Sequence, residues 1–235
     1  MGINEALIII SLILIYGGVL LFYRLFGKEG MYGFTVLATI AANIEVLILV
    51  KAFGLEMTLG NVLFASTFLI TDILNENEGK KAADKGVLIG IAASAIFIVL
   101  SLFWTWYQPT EASASGEAFK LIFAQTPRMI IAGISVYALV ELMNVRLYRK
   151  IWQLTERQHG SKSLLWLRNN GAGIISQFIN SLCFNILAFA GTYPLKTLIS
   201  IILTTFIIYV CLIALETPFL YVARHIKAKE NLRSN

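Results

Sequence analysis

Residues 6–23 carry no charged side chain, and neither do residues 86–107 or 169–195. A helix needs about 20 apolar residues to cross a hydrocarbon core of about 30 Å. Runs of this length fix the class as all-α, a polytopic membrane helical bundle. With no water in the bilayer core, each backbone amide has to find its partner within a helix. Composition agrees. Hydrophobic residues make up 57% of the 235 residues and charged residues 14%, with a mean hydropathy of +0.74. A soluble domain carries about 25% charged residues.

About seven spans are predicted, six if the third does not cross. The first covers 6–23 and is read as a retained helix, because no basic cluster precedes it and no small-residue cleavage site follows. The second covers 31–50, interrupted by Asn43 and Glu45, and a short turn holds Gly54 and Glu56. The third, 58–76, reads as marginal or broken, since only residues 57–71 are free of charge. The fourth covers 86–107 and ends in Trp104, Trp106 and Tyr107, an interfacial aromatic belt. The fifth opens at Pro127 and Arg128, runs to about 148, and contains Glu141 and Asn144. A basic connector over 146–168 leads to the sixth, 169–195, with Gln177, Asn180 and Asn185 inside it. The seventh, 197–215, closes on Glu216-Thr217-Pro218, where the missing proline amide marks a helix end or kink. One membrane domain, 1–223, is thus followed by a basic cytoplasmic tail, 224–235.

Positive charge orders these spans. Connectors after spans one, three, five and seven hold Arg24 and Lys28; Lys80, Lys81 and Lys85; six cations from Arg146 to Arg168; and Arg224, Lys227, Lys229 and Arg233. Those after spans two, four and six hold Lys51, none, and Lys196. The positive-inside rule then puts the N-terminus outside and the C-terminus in the cytoplasm of a multi-pass protein. This order would be lost if the third segment did not cross. The net charge of +5 follows from the same topology. It implies anionic lipid headgroups as neighbours and no nucleic-acid partner. Cys183 and Cys211 fall inside spans, where cysteine packs as a small apolar residue. His159 and His225 fall in solvated basic segments.

The stretch that ends the third span carries the most chemistry. Asp72, Asn75 and Glu76 are spaced i, i+3 and i+4, so they share one helical face. Buried in a membrane they would mark a site or pathway; if the helix has already left the bilayer, they are solvated. Glu141 with Asn144, and Gln177 with Asn180, are i, i+3 pairs on their own helices. Arg128 and Arg168-Asn169 stand near the starts of those helices, giving a faint repeat of the kind found in transporters. Asn and Gln in spans also serve simply to join helices, at about 0.6 kcal/mol per hydrogen bond. Gly86-x3-Gly90 reads as helix packing. The sequence contains no Gly-x4-Gly-Lys-Ser/Thr loop, no His-Glu-x2-His pair and no Gly-x-Ser-x-Gly elbow. It therefore carries no enzyme signature, and no metal or other cofactor is expected.

Asn43, the Thr67-x3-Thr71-Asp72-Ile-Leu-Asn75-Glu76-x2-Gly79-Lys80-Lys81 block, Leu167-Arg168-Asn169, Ser176-Gln177 and Thr217-Pro218-Phe219-x-Tyr221 together resemble the queuosine precursor transporter family, also described as a vitamin uptake transporter group. The resemblance runs from about residue 30 to residue 224. It implies inner-membrane uptake of a 7-deazaguanine: 7-cyano-7-deazaguanine, its 7-aminomethyl relative, or queuine. With the polar residues of the spans, it implies a substrate site drawn from Asn43, Thr71, Asp72, Asn75, Glu76, Glu141, Asn144, Arg168, Gln177 and Asn180. The chain departs from the family pattern at four positions. The family often has Asp at the positions of Asn144 and Asn180, Gln at that of Glu141, and Asp at that of Glu216.

The chemistry suits such a ligand. A deazaguanine presents adjacent N–H donors beside a carbonyl, and Asp72 or Glu76 can accept two parallel hydrogen bonds. Asn75, Gln177 or Asn180 can donate to the carbonyl, and Phe178 and Phe184 offer stacking surfaces. An aminomethyl cation would favour Glu141 or Glu45. Two alternatives differ in class: a substrate-capture subunit that needs a separate ATP-driven module, and a membrane enzyme or scaffold. Exposed small-residue faces permit a homodimer.

Overall fold

The computed structural model describes residues 2–46, 48–110, 113, 116–123, 127–159 and 164–234. Among them are seven helices and one β-hairpin: α1 (Ile3–Glu45), β1 (Leu49–Ala52), β2 (Leu55–Thr58), α2 (Gly60–Asn77), α3 (Lys80–Trp106), α4 (Gly116–Phe123), α5 (Pro127–His159), α6 (Leu165–Phe189) and α7 (Leu195–Ser234). Five of these, α1, α3, α5, α6 and α7, are long and apolar enough to cross a membrane.

The first of them crosses twice. Gly27 adopts φ 57°, ψ −140°, a conformation open to glycine and strained for other residues. It folds α1 back on itself into two antiparallel arms, 3–26 and 28–45. Phe22 and Phe34 meet edge to face at 5.2 Å across the arms. At the far end Asn4 Nδ2 donates to the Lys51 carbonyl at 3.0 Å, and the Phe53 amide to Glu5 Oε1 at 3.1 Å. Gly30 sits at the fold itself, where a Cβ would come 2.4 Å from the Phe22 carbonyl oxygen. With α1 counted as two arms, the apolar helices make six segments, and α2 takes the place of the third expected span.

The marginal third span is α2, an unbroken helix of 18 residues, about 27 Å long at 1.5 Å per residue. Fourteen of those residues are buried, and α1, α3, α5 and α7 pack around it. It is the central helix. Its low hydropathy follows from that place: α2 faces protein on nearly every side, so it needs no apolar coat for lipid. Gly86 and Gly90 act as packing residues, as expected. A Cβ on Gly86 would meet Leu74 of α2, and one on Gly90 would meet Tyr137 of α5.

Several boundaries differ from the sequence expectation. The second span stops at Glu45 rather than residue 50, and Leu49 and Val50 belong to β1. β1 and β2 pair antiparallel, Leu49 opposite Thr58, through a two-residue turn. Phe53 and Gly54 both take positive φ there, the geometry that matches strand twist. The basic connector shrinks, because α5 continues to His159 and α6 starts at Leu165. Pro218 neither ends nor closes α7, which runs on to Ser234. The proline lies on the exposed side of the helix while Leu220 and Ala223 beyond it are buried, so packing carries the helix past the missing amide. The boundary drawn at 223/224 falls inside α7. Cys211 is exposed on α7, not packed within the bundle. Arg157, Lys162 and part of the 108–117 loop lie outside the described residues or side chains.

The cationic connectors gather at one end. Tyr23 Oη donates to Glu78 Oε1 at 2.9 Å, and Lys227 Nζ reaches the same oxygen at 2.9 Å. Lys85 stands over the Tyr32 ring, and Lys80 pairs with Asp84. The β-hairpin and the N-terminal residues lie at the other end.

Candidate functional site

Helix α2 presents Thr67, Thr71, Asp72, Asn75 and Glu76 along one side, three or four residues apart. Helix α5 answers with Glu141, Asn144, Val145 and Tyr148, and α6 with Arg168, Ser176, Gln177 and Asn180, all buried. Helical periodicity alone selects these faces. The result is a polar seam through an otherwise apolar bundle.

At its inner part the Glu141 carboxylate accepts from Thr67 Oγ1 at 2.6 Å and Thr71 Oγ1 at 3.0 Å. Asn144 Nδ2 donates to Asp72 Oδ1 at 2.9 Å, while Ser176 Oγ donates to Asn144 Oδ1 at 3.2 Å. One chain of bonds thus joins α2, α5 and α6. Further along α6, Asn180 Nδ2 donates to Gln177 Oε1 at 2.8 Å. Tyr209 of α7 donates to Asn61 Oδ1 at 3.3 Å, tying α7 to the start of α2.

Toward the cationic end the seam becomes ionic. Arg168 Nη2 lies 3.0 Å and 3.2 Å from the two Glu76 oxygens, and Tyr148 Oη donates to Glu76 Oε2 at 2.8 Å. The guanidinium is fully buried and the carboxylate side chain is 4% exposed. Arg149 Nε donates to Asn75 Oδ1 at 2.6 Å, and Asn75 Nδ2 to the Val145 carbonyl at 3.2 Å. Arg168 and Arg149 both lie over the Trp152 ring, at 4.4 Å and 4.7 Å. Arg224 of α7 comes within 3.9 Å of Glu76.

Nine of the ten residues singled out from sequence therefore share this seam. Asn43 does not. It belongs to the second arm of α1 and is half-buried, donating to the Thr39 carbonyl at 2.7 Å and Ser94 Oγ of α3 at 3.4 Å. Phe178 is 47% exposed and packs on Phe206, because Gln177 beside it takes the inward direction and successive helical residues diverge by about 100°. It cannot be a stacking surface here. Phe184 packs against the apolar Phe68, Val136 and Val140 cluster.

The ten residues singled out from sequence do not include Thr67, Tyr148, Arg149 or Ser176, which also line the seam. A signal existed for most of them. Thr67 is one turn before Thr71, Tyr148 one turn beyond Asn144, and Ser176 one turn before Asn180. Arg149 reads as a connector charge in the sequence because α5 continues past the expected end near residue 148, to His159. Among the described residues, no group of three or more His, Cys, Asp or Glu could hold a metal ion.

A bundle of long apolar helices around a buried, interhelical polar seam is that of a polytopic membrane protein. The match to known proteins narrows this. Residues 58–223 match the family described as "Putative vitamin uptake transporter". The chain is 32% identical over 206 residues to the "Probable queuosine precursor transporter" of Bacillus subtilis (strain 168), covering 88% of each. The chain belongs to this vitamin uptake transporter family. No solved structure matches it.

Proposed function

We propose that the chain imports a queuosine precursor, one of 7-cyano-7-deazaguanine, 7-aminomethyl-7-deazaguanine or queuine, across the cell inner membrane. The observation that carries this reading is the seam itself: carboxylates and carboxamides from α2, α5 and α6, nearly fully buried, inside a chain 32% identical to a relative named for that substrate. The base-pairing edge of a deazaguanine offers adjacent N–H donors, which the Asp72 carboxylate can accept. Gln177 and Asn180 supply amide donors and acceptors for its carbonyl side. A site of this kind rejects analogues that leave its buried groups unpaired.

The cationic end faces the cytoplasm in this account, with the N-terminus and β-hairpin outside. The Glu76–Arg168 pair then stands on the cytoplasmic side of the substrate, and entry to the cell requires α2 and α6 to part there. The protein acts as a transporter and not as an enzyme, surrounded by lipid and as a monomer or homodimer.

The test is restoration of queuosine in tRNA. A host lacking both precursor synthesis and its own importer is given this chain and nanomolar precursor. Queuosine should reappear with this chain alone. Its absence despite good membrane expression would contradict the reading and favour a subunit that needs a partner module.

A further inference from the structure

Glu216 of α7 lies outside the hydrogen-bond chain of the seam. It is 1% exposed on α7, and its Oε2 has no hydrogen-bond partner among the described residues. Two neighbours share that condition. Asn169 of α6 is fully buried and its Oδ1 is unpartnered. Tyr16 of α1 is fully buried with an unpartnered hydroxyl, its ring held edge-on against Phe219 at 5.2 Å. Both flank Glu216 on α7: Asn169 bonds to Thr217, the next residue, and Tyr16 packs against Phe219, one turn further on.

The amide orientation of Asn169 is determined. Its Nδ2 donates to Thr217 Oγ1 at 3.1 Å, and that hydroxyl gives its own proton to the Ile213 carbonyl at 3.1 Å. Thr217 can therefore only accept from Asn169, which leaves Asn169 Oδ1 as an acceptor facing away. The corner thus holds two acceptors and one hydroxyl, all dry and all unused. Burying such groups without partners costs on the order of 1–3 kcal/mol each, so they mark a place that something else completes.

Charge points the same way. Asn169 follows Arg168 directly on α6, which sets the corner beside the ionic end of the seam. Among the described residues Arg168 is the one fully buried cation, and it is paired with Glu76. Asp72, Glu141 and Glu216 have no buried cation of their own. A primary ammonium has three N–H donors and one positive charge, which matches three unused oxygens in an acidic setting.

We propose that Glu216, Asn169 and Tyr16 form the subsite for a protonated primary amine on the transported molecule, so that the site prefers an ammonium-bearing ligand to its neutral counterpart. This rests on the proposed function above and narrows it to the aminomethyl side of the candidate substrates. Neither Glu141 nor Glu45 fills that role, since Glu141 is held by two threonine hydroxyls and Glu45 ends α1 half-buried.

The test is binding of 7-aminomethyl- and 7-cyano-7-deazaguanine to the purified, detergent-solubilised chain, read as the ratio of the two affinities. The intact chain should prefer the aminomethyl compound by about tenfold or more, as a charge-assisted buried bond requires. In Glu216→Gln the ratio should fall to about one. Tyr16→Phe and Asn169→Ala should each lower it by several-fold, which keeps the test available if Glu216→Gln does not fold. Binding of both compounds without preference, or a ratio unmoved by the variants, overturns the subsite alone. Binding of neither compound to the intact chain overturns the proposed function, and the subsite with it.

Discussion

Arg168 and Glu76 form a buried ion pair between α6 and α2, 3.0 Å from Nη2 to Oε1, with the guanidinium completely out of solvent. They are 92 residues apart in sequence and lie on the two helices that the proposed transport would part. Breaking such a pair from one side leaves an uncompensated charge and costs about 3–5 kcal/mol. Arg168→Ala should therefore lower the melting temperature sharply. Glu76→Ala added to it should cost much less than the two single changes summed. Thermal melts of the four proteins in one detergent measure that coupling, and additive losses would show that the pair holds nothing together.

Arg168→Lys is not conservative at this position. Lysine keeps the charge, but gives up the planar stacking over Trp152. It should fall between the native chain and Arg168→Ala in stability.

Glu141 rests on two hydroxyls from α2. Replacing Thr67 and Thr71 together by Val strips the carboxylate of these partners and should destabilise by about 1–3 kcal/mol. Glu141→Gln keeps the shape and leaves an oxygen for the hydroxyls, so it should cost less than the double threonine change. Denaturation in matched micelles orders the two, and the reverse order would contradict the assignment.

The fold of α1 depends on Gly27. Gly27→Ala introduces a side chain at φ 57°, ψ −140°, a strain of about 1–3 kcal/mol. Gly33→Ala, where nothing lies within 4 Å of the added carbon, should be neutral or stabilising. Equal effects of the two changes would argue against a sharp fold at residue 27.

The apolar segments were legible because membrane crossing depends on length and apolarity, which the sequence states openly. Charge alternation further supported the third span, where hydropathy alone failed. It failed because α2 is coated by protein, a property of the neighbours and not of α2. Asp72, Asn75 and Glu76 were visible through their i, i+3, i+4 spacing, and Glu141 with Asn144 in the same way. Glu216 and Tyr16 carry no i, i+3 or i, i+4 polar partner on the buried face of their own helices, so spacing does not single them out. Phe178 failed for a related reason: identity suggested stacking, while its direction on α6 was set by Gln177 and Asn180. Leu49 and Val50 read as the end of a helix because β-branched and aliphatic residues serve lipid-facing helices and strands alike.

The central claim is that the α2–α5–α6 seam binds the transported molecule. Uptake of labelled 7-aminomethyl-7-deazaguanine into vesicles holding only the purified chain tests it most directly, with Asp72→Asn and Asn180→Ala beside the native protein. The account predicts uptake by the native chain without any partner, and loss of about tenfold or more in each folded variant. Native rates in both variants would contradict it.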